Sequence, residues 1–318
     1  EKRVTRCPVC DARAIAPTRR HLLDPLAGPR RFPLACLSCG LLLHRRDTAR
    51  LRNALSVALD GPVFVPPAEL GLDIYTLRIA ATRFAALALP CGHRQHRALS
   101  APHSPLQARA RLVPLKTAAR LPVALGIMCR ANRLDACVDQ ARHHLEWASE
   151  AIVLCDGAVR RDLREGRLRI AFRPMEGDFA GQRNALQGLG GSPWMLQLDD
   201  DETLSPEAAS ALPALAHAAE AAGVVSIGLA RRNRVDGVLS DLFPDTQYRL
   251  NRRDVRYRGQ VHERPDRPWQ RSTIALHGAI EHVLDRERVV RRSQIYEGLS
   301  PGHGRLTETR ELLTPYRP

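Results

Sequence analysis

The sequence predicts an α/β chain built on a parallel sheet and preceded by a small metal-binding unit. Three observations predict it. Two C-x-x-C pairs stand near the start of the chain. From residue 121 onward, short apolar runs alternate with stretches of helical periodicity. Two of those runs end abruptly in acid, at Asp156 and at Asp199-Asp200-Asp201-Glu202. In open α/β sheets ligands bind outside the carboxyl ends of the strands, so these acids mark the candidate site.

Taken in order, Cys7-Pro8-Val9-Cys10 and Cys36-Leu37-Ser38-Cys39-Gly40 are separated by 25 residues. Each pair presents two thiolates on one turn, and two such turns complete a tetrahedral all-cysteine site. Four cysteines leave no open coordination position, so the expected zinc is structural. The predicted ribbon covers residues 1–47. Residues 48–118 read as a helical and linker region, with helices over 48–59 and 77–89 and a proline-containing linker over 101–114. Cys91-Gly92-His93-Arg94-Gln95-His96 has metal-binding residue types but no partner pair nearby, and reads as a solvated turn.

From 121 the texture changes. Val123-Ala124-Leu125-Gly126-Ile127-Met128 is a buried strand, residues 133–147 a helix, and Ala151-Ile152-Val153-Leu154-Cys155 a second strand. That order is a right-handed crossover unit. A third strand is expected over 168–172 and a helix over 181–189. The strand Trp194-Met195-Leu196-Gln197-Leu198 then delivers the acids. The competing reading of that run is a solvated acidic loop before a helix starting at Ser205-Pro206-Glu207. The α/β unit is expected to span 119–285, with a tail over 286–318 that holds one helix.

Composition narrows the classes. The net charge of +14 over 318 residues calls for an anionic partner: nucleic acid, a phosphorylated small molecule or a membrane surface. Lys2 and Lys116 are the only lysines, a skew that genome composition explains as well as surface selection does. The 4% aromatic content gives few stacking platforms, which argues against nucleic acid. The alanine-rich residues 208–230 are interrupted by Pro213, His217 and Glu220 and are too polar to span a bilayer, which takes about 20 apolar residues. No secretory signal is visible, and paired cysteines suit metal binding in a reducing compartment, so the expected location is cytoplasmic.

Three ordered motifs carry a family resemblance. Phe179-Ala180-Gly181-Gln182-Arg183-Asn184-Ala185-Leu186 runs ungapped through Trp194 to Glu202. Phe243-Pro244-Asp245-Thr246-Gln247-Tyr248-Arg249-Leu250-Asn251-Arg252-Arg253 follows, and then Val261-His262-Glu263-Arg264. Over residues 121–282 the chain resembles the family 2 inverting glycosyltransferases of the GT-A fold, in particular the lipopolysaccharide-core β-glucosyltransferase group. His277 sits where a later family histidine falls. The sequence departs from that pattern at Cys129-Arg130-Ala131, where the family has Asn-Glu-Glu, and after Asp156, where Gly157-Ala158-Val159-Arg160 replaces a Ser/Thr/Asp-rich turn. The cysteine ribbon is not part of the pattern.

The resemblance implies a Mg²⁺ or Mn²⁺ ion on Asp201 and Asp199, with His262 as a further ligand. It implies nucleotide-sugar contacts from Asp156, Arg183, Asn184, Asp199 and Asp200, and Glu263 as the general base on an acceptor hydroxyl. The expected partners are a nucleotide-sugar donor and a saccharide or glycolipid acceptor. Arginines around Glu263 would hold an anionic acceptor or a membrane surface. Two other classes stay open: a zinc-ribbon nucleic-acid-binding protein, and a nucleotidyltransferase that uses the same carboxylates.

Overall fold

The computed structural model describes residues 6–24, 28–259, 263–299 and 306–318. At its centre a ten-stranded mixed sheet begins with a parallel block in the spatial order Leu168–Phe172, Glu150–Asp156, Val123–Arg130, Trp194–Asp199. The chain visits Val123–Arg130 first, moves outward twice, then returns to the other side with Trp194–Asp199. The order therefore reverses between those two strands. Such a reversal splays the flanking connections apart and leaves a crevice at the carboxyl ends. Beyond it lie Asp245–Arg252, Ser226–Val235, Ser272–Leu284 and Glu202–Leu204, while Leu163–Glu165 closes the opposite edge.

Alternation along the strands makes two apolar faces. Val123, Leu125 and Ile127 join the larger core with Cys137, Val138 and Ala141 of helix Leu134–His144 and with Ala208, Leu212 and Leu215 of helix Pro206–Ala221. Ala124, Met128, Ile152, Leu154 and Met195 face Leu186 of helix Phe179–Leu189. The candidate site is thus the top edge of a three-layer sandwich. Helix Pro206–Ala221 starts as the sequence predicts, with Ser205 as N-cap and proline in the first turn. The Ser205 hydroxyl accepts from the N–H groups of Ala208 and Ala279. Gly278, at φ +72°, lets the long strand pass that helix end, because a Cβ there would lie 2.3 Å from the Ala208 nitrogen.

Residues 6–114 pack around one further core that runs from Cys7 and Cys36 through Leu51, Leu77 and Leu112 to Ile274 of the sheet. The helix expected over 77–89 is corrected: it spans Ile74–Arg83 and gives way to strand Ala86–Pro90, with Ala85 at φ +55° making the break. The linker expected over 101–114 is corrected too. Ala110–Pro114 pairs antiparallel with Ala86–Pro90, because Ala110 and Leu112 bury while Arg109 and Arg111 stay outside. Among its described residues the tail holds two helices, Arg286–Leu299 and Leu306–Leu312, where one was expected. Among the described residues no helix is long and apolar enough to cross a membrane.

The four cysteines meet as the sequence predicts. Their sulfurs all lie within 4.8 Å of one another, and the Cys7–Cys39 and Cys10–Cys36 separations are both 3.7 Å. A tetrahedron with metal–sulfur bonds of about 2.3 Å has sulfur–sulfur edges of about 3.8 Å, so the thiols stand at metal-ligand spacing. Burial pushes the Cys7 thiol up and hydrogen bonds from Cys10, Cys36 and Cys7 push Cys39 up, whereas Cys36 is held down by its thiol neighbours. Four buried thiolates without a cation would repel one another. Gly40, at φ +88°, closes the second turn with its N–H on the Cys36 carbonyl.

This unit is bolted to the rest of the chain. The Asp11 carboxylate accepts from Arg52 of helix Thr48–Ala58 at 2.5 Å and from Arg83 at 2.9 Å. Arg6, almost fully buried, donates to the Asp241 carboxylate at 2.6 Å and to the carbonyls of Phe243 and Arg317 at 2.5 and 2.6 Å, and stacks on Tyr316 at 4.2 Å. The cysteine turn thereby holds both the 241–243 loop and the 316–317 segment.

Replacing Cys36 by Ser is expected to abolish binding of one divalent ion per chain, measured by elemental analysis. Hydrogen exchange at residues 240–245 and 314–317 should rise by at least about tenfold in that variant. Unchanged exchange there would separate the cysteine unit from the clamp.

Candidate functional site

The acids sit at the carboxyl end of the reversal point, and each is met by a cation of this chain. Asp199 closes its strand on the face of Gln197, since alternate residues share a face. Its carboxylate accepts from Arg183 at 2.7 Å and from Arg249 at 2.8 Å. Arg183 belongs to helix Phe179–Leu189 and is 1% exposed, and its Nε donates to Glu263 at 2.5 Å. One buried guanidinium therefore joins Asp199 to Glu263, residues 64 positions apart in the sequence. Burial, with Glu202, Asp201 and Glu263 close by, pushes the Asp199 carboxyl up to about 8 against the pull of Arg183. Its ionised form thus leans on whatever cation stands nearest. For Arg183 burial acts to release the proton, and Asp199 and Glu263 overcome it and hold the group above its usual range.

Asp200 turns the other way. Its carboxylate takes a two-pronged contact from Arg130, at 2.7 and 2.9 Å, across the crevice mouth. Asp201 pairs with Arg288 of helix Arg286–Leu299. Glu202 is buried, accepts the Asp199 N–H at 3.1 Å and pairs with Arg231 at 2.8 Å. Arg231 also pairs with Asp245 at 2.6 Å, whose carboxyl is held below its usual range by Arg231 and by hydrogen bonds from Asn233 and Gln247, burial notwithstanding.

His282 was not singled out by sequence, yet it lies at the centre of this network. It is 2% exposed, and its Nε2 stands 3.4 Å from the Asp201 carboxylate without forming a hydrogen bond. Its Nδ1 lies 2.7 Å from the Asn233 side-chain oxygen, and the Asn233 amide nitrogen donates to Asp245 at 3.0 Å. With that amide orientation Asn233 accepts the Nδ1 proton, and Nε2 faces the Asp201 carboxylate. A buried ring nitrogen without a hydrogen-bond partner, beside a carboxylate, is a residue type and placement that suits a divalent cation, and Asn233 is the outer contact that orients the ring.

The other sequence-predicted residues fall as follows. Asp156 ends its strand and accepts the Met175 N–H at 2.8 Å, so it shapes the turn that leads toward Arg183. Next to that turn a cleft of about 380 Å³ is lined by Glu176, Gly177, Asp178, Ala180 and Gly259. Asn184 uses both ends of its amide on the Tyr257 backbone, at 2.9 and 2.7 Å, and braces strand Arg256–Arg258. His277 is half-buried near Glu207, with its pKa lowered chiefly by burial. Val261 and His262 lie outside the described residues. Arg130 and Arg249 stand inside segments already quoted for other reasons, but only pairing in space gives them a role.

Arg288 and a metal ion would compete for Asp201. The Arg288→Ala protein is expected to bind Mn²⁺ about tenfold more tightly than the parent, read by calorimetry. Glu202→Gln should lower unfolding stability by about 1.5–3 kcal/mol, since it removes a charge-assisted hydrogen bond from a buried arginine. Denaturant titration measures it.

No family model matches the chain, and no curated protein matches it. Solved structures that are similar in part include the crystal structure of S. aureus TarS 1-349 and the same protein in complex with UDP. Identity is 9% and the TM-score 0.33 in both, covering 60% and 61% of this chain and 69% and 70% of theirs. A likeness at that level carries no weight for the activity of this chain.

Proposed function

We propose that the protein is a metal-assisted inverting glycosyltransferase that moves a sugar from a nucleotide-sugar donor to a saccharide or glycolipid acceptor. The observation that carries this reading is the shared Arg183 guanidinium, which sets Asp199 and Glu263 in one crevice at the reversal point of the sheet. Arg183 and Asp199, Arg249, and Glu263, each from a segment that resembles the family, thus meet at one spot. The metal of the cysteine unit is proposed to be zinc, on its all-thiolate ligand set.

Asp199 and Asp201 would hold Mg²⁺ or Mn²⁺, with His282 supplying the imidazole ligand and His262 a second candidate beside Glu263. Bound there, the cation would offset charge on the departing diphosphate. The chain's own residues do the rest. Glu263, bonded to Arg183, takes the proton of the acceptor hydroxyl as the hydroxyl oxygen attacks the anomeric carbon from the face opposite the leaving group. Arg249 and Arg183, which bond to Asp199, would supply positive charge to the donor phosphate oxygens beside such a cation. The cleft between 176–180 and Gly259 offers room for the nucleoside end of the donor. A cytoplasmic location, with contact to the membrane through surface arginines, belongs to the same proposal.

One observation favours a second reading. Arginines already neutralise Asp199, Asp200 and Asp201, so the same transfer could run on guanidinium groups alone. Under the first reading, chelation with EDTA stops release of nucleoside diphosphate from donor, and Mn²⁺ restores it. Asp201→Ala is expected to lower that release about 10²-fold or more. Glu263→Gln should lose transfer to acceptor while still binding donor. Turnover indifferent to both EDTA and Asp201→Ala would leave the metal-free reading, and release of nucleoside monophosphate with pyrophosphate would replace both with nucleotidyl transfer.

A further inference from the structure

Arg183 donates to acids along its edge, from Nε to Glu263 at 2.5 Å and from one terminal nitrogen to Asp199 at 2.7 Å. The guanidinium also lies over the ring of Tyr257, whose centroid is 5.7 Å from the guanidinium carbon. Both side chains are out of water, at 1% and 3% exposure. An aromatic face is negative without carrying a charge, and it attracts a cation most strongly where water is excluded. A third acid in that place would enlarge a cluster in which burial already works against ionisation of Asp199. A ring adds attraction without adding a carboxylate.

Tyr257 is itself held at its backbone and at its hydroxyl. Its N–H donates to the Asn184 side-chain oxygen at 2.7 Å, and its carbonyl accepts from the Asn184 amide nitrogen at 2.9 Å. Its hydroxyl accepts from the Asn251 amide nitrogen at 2.6 Å. That nitrogen also donates to the Tyr248 carbonyl at 3.0 Å, and Asn251 is fully buried in strand Asp245–Arg252, opposite Met195. Burial raises the pKa of the Tyr257 phenol, so the ring stays neutral through the physiological range.

The place of Tyr257 in the chain links this contact to Glu263. Strand Arg256–Arg258 pairs antiparallel with Arg264–Asp266, with Tyr257 opposite Pro265, and Glu263 is the residue before that second strand. Asn184 follows Arg183 in helix Phe179–Leu189, so adjacent helix residues grip the backbone and the ring of one tyrosine. Tyr257 therefore reaches Glu263 by two routes, through the strand pair and through Arg183. We propose that Tyr257 is a positioning residue for the transfer reaction, its ring holding the Arg183 guanidinium in the plane that presents Asp199 and Glu263 to the reacting groups. This role rests on the transferase reading for its effect on turnover, and on the Arg183 contacts alone for its effect on the guanidinium.

The test places phenylalanine at 257 in the full chain, then its 4-fluoro and 3,4,5-trifluoro analogues, which keep the ring's shape and weaken its negative face in steps. Exchange of the Arg183 Nε proton is followed by NMR, its signal assigned by its loss in Arg183→Lys. From Tyr257→Phe to the trifluoro protein that exchange is expected to accelerate at least about threefold, while backbone amides of strand Val123–Arg130 keep their rates. Tyr257→Leu, without a ring, should accelerate it at least about tenfold, and the fluorinated series serves if that variant does not fold. With UDP-glucose as the probe donor, kcat for release of UDP should fall in the same order with KM unchanged, and Tyr257→Phe should recover most of what Tyr257→Leu loses. Graded exchange with no release of UDP even in the parent would uphold the ring's hold on Arg183 and remove the turnover claim for that donor. Equal exchange of the Arg183 proton in the phenylalanine, trifluoro and leucine proteins, or an equal loss of kcat in Tyr257→Phe and Tyr257→Leu, overturns the proposal.

Discussion

The guanidinium of Arg183 is the contact on which the site's geometry depends. It is buried under helix Phe179–Leu189 and bonded to Asp199 and Glu263 at once. A carboxylate at the end of a buried strand is expensive to ionise, and two close together are more so. A fixed cation between them opposes that cost and sets their separation, although burial still pushes the Asp199 carboxyl up to about 8. The arginine is placed by packing: its helix lies against Ala124, Met128 and Met195, and Gly126 lets Leu186 approach so closely that a Cβ would be 2.9 Å from it. Sheet, helix and acids are thus parts of one arrangement.

The same logic extends outward. Arg231 links Glu202 to Asp245, and Asn233 links Asp245 to His282, so the network returns to Asp201. Preorganised charge of this kind is most useful where charge changes during a reaction, because little reorganisation is then required. It also explains the strong excess of arginine near the acids. The arginines paired with these acids cancel in the net charge, so the +14 excess belongs to the remaining arginines.

The cysteine unit, which could be taken as an appended docking module, is an integral part of the molecule. Arg6 and Asp11 flank its first turn and bond to segments more than 200 and more than 40 residues away. Asp241, held by Arg6 and Arg13, lies four residues before Asp245 in the acid network. Units of this size usually need help to be stable alone, and here the neighbouring sheet supplies packing while four buried cysteines stand at metal-ligand spacing.

What the sequence determined by itself were the features with local periodicity or fixed spacing. Val123 to Met128 and Ala151 to Cys155 read as buried strands, Ser205-Pro206 as a helix start, and the two C-x-x-C turns as one four-cysteine cluster, and the fold has each of them. The placement of Asp199 at a strand end followed from the apolar run before it. Tertiary structure alone decided the partners. Pairing Arg249 with Asp199, or turning His282 toward Asp201, depends on strand register, which brings together residues 50 and 81 positions apart. It also turned residues 86–90 and 110–114 into a strand pair, since a short apolar run is helix or strand according to what it packs against. Local patterns carry the energy of burial, but the pairing of charges depends on distances that only the folded chain defines.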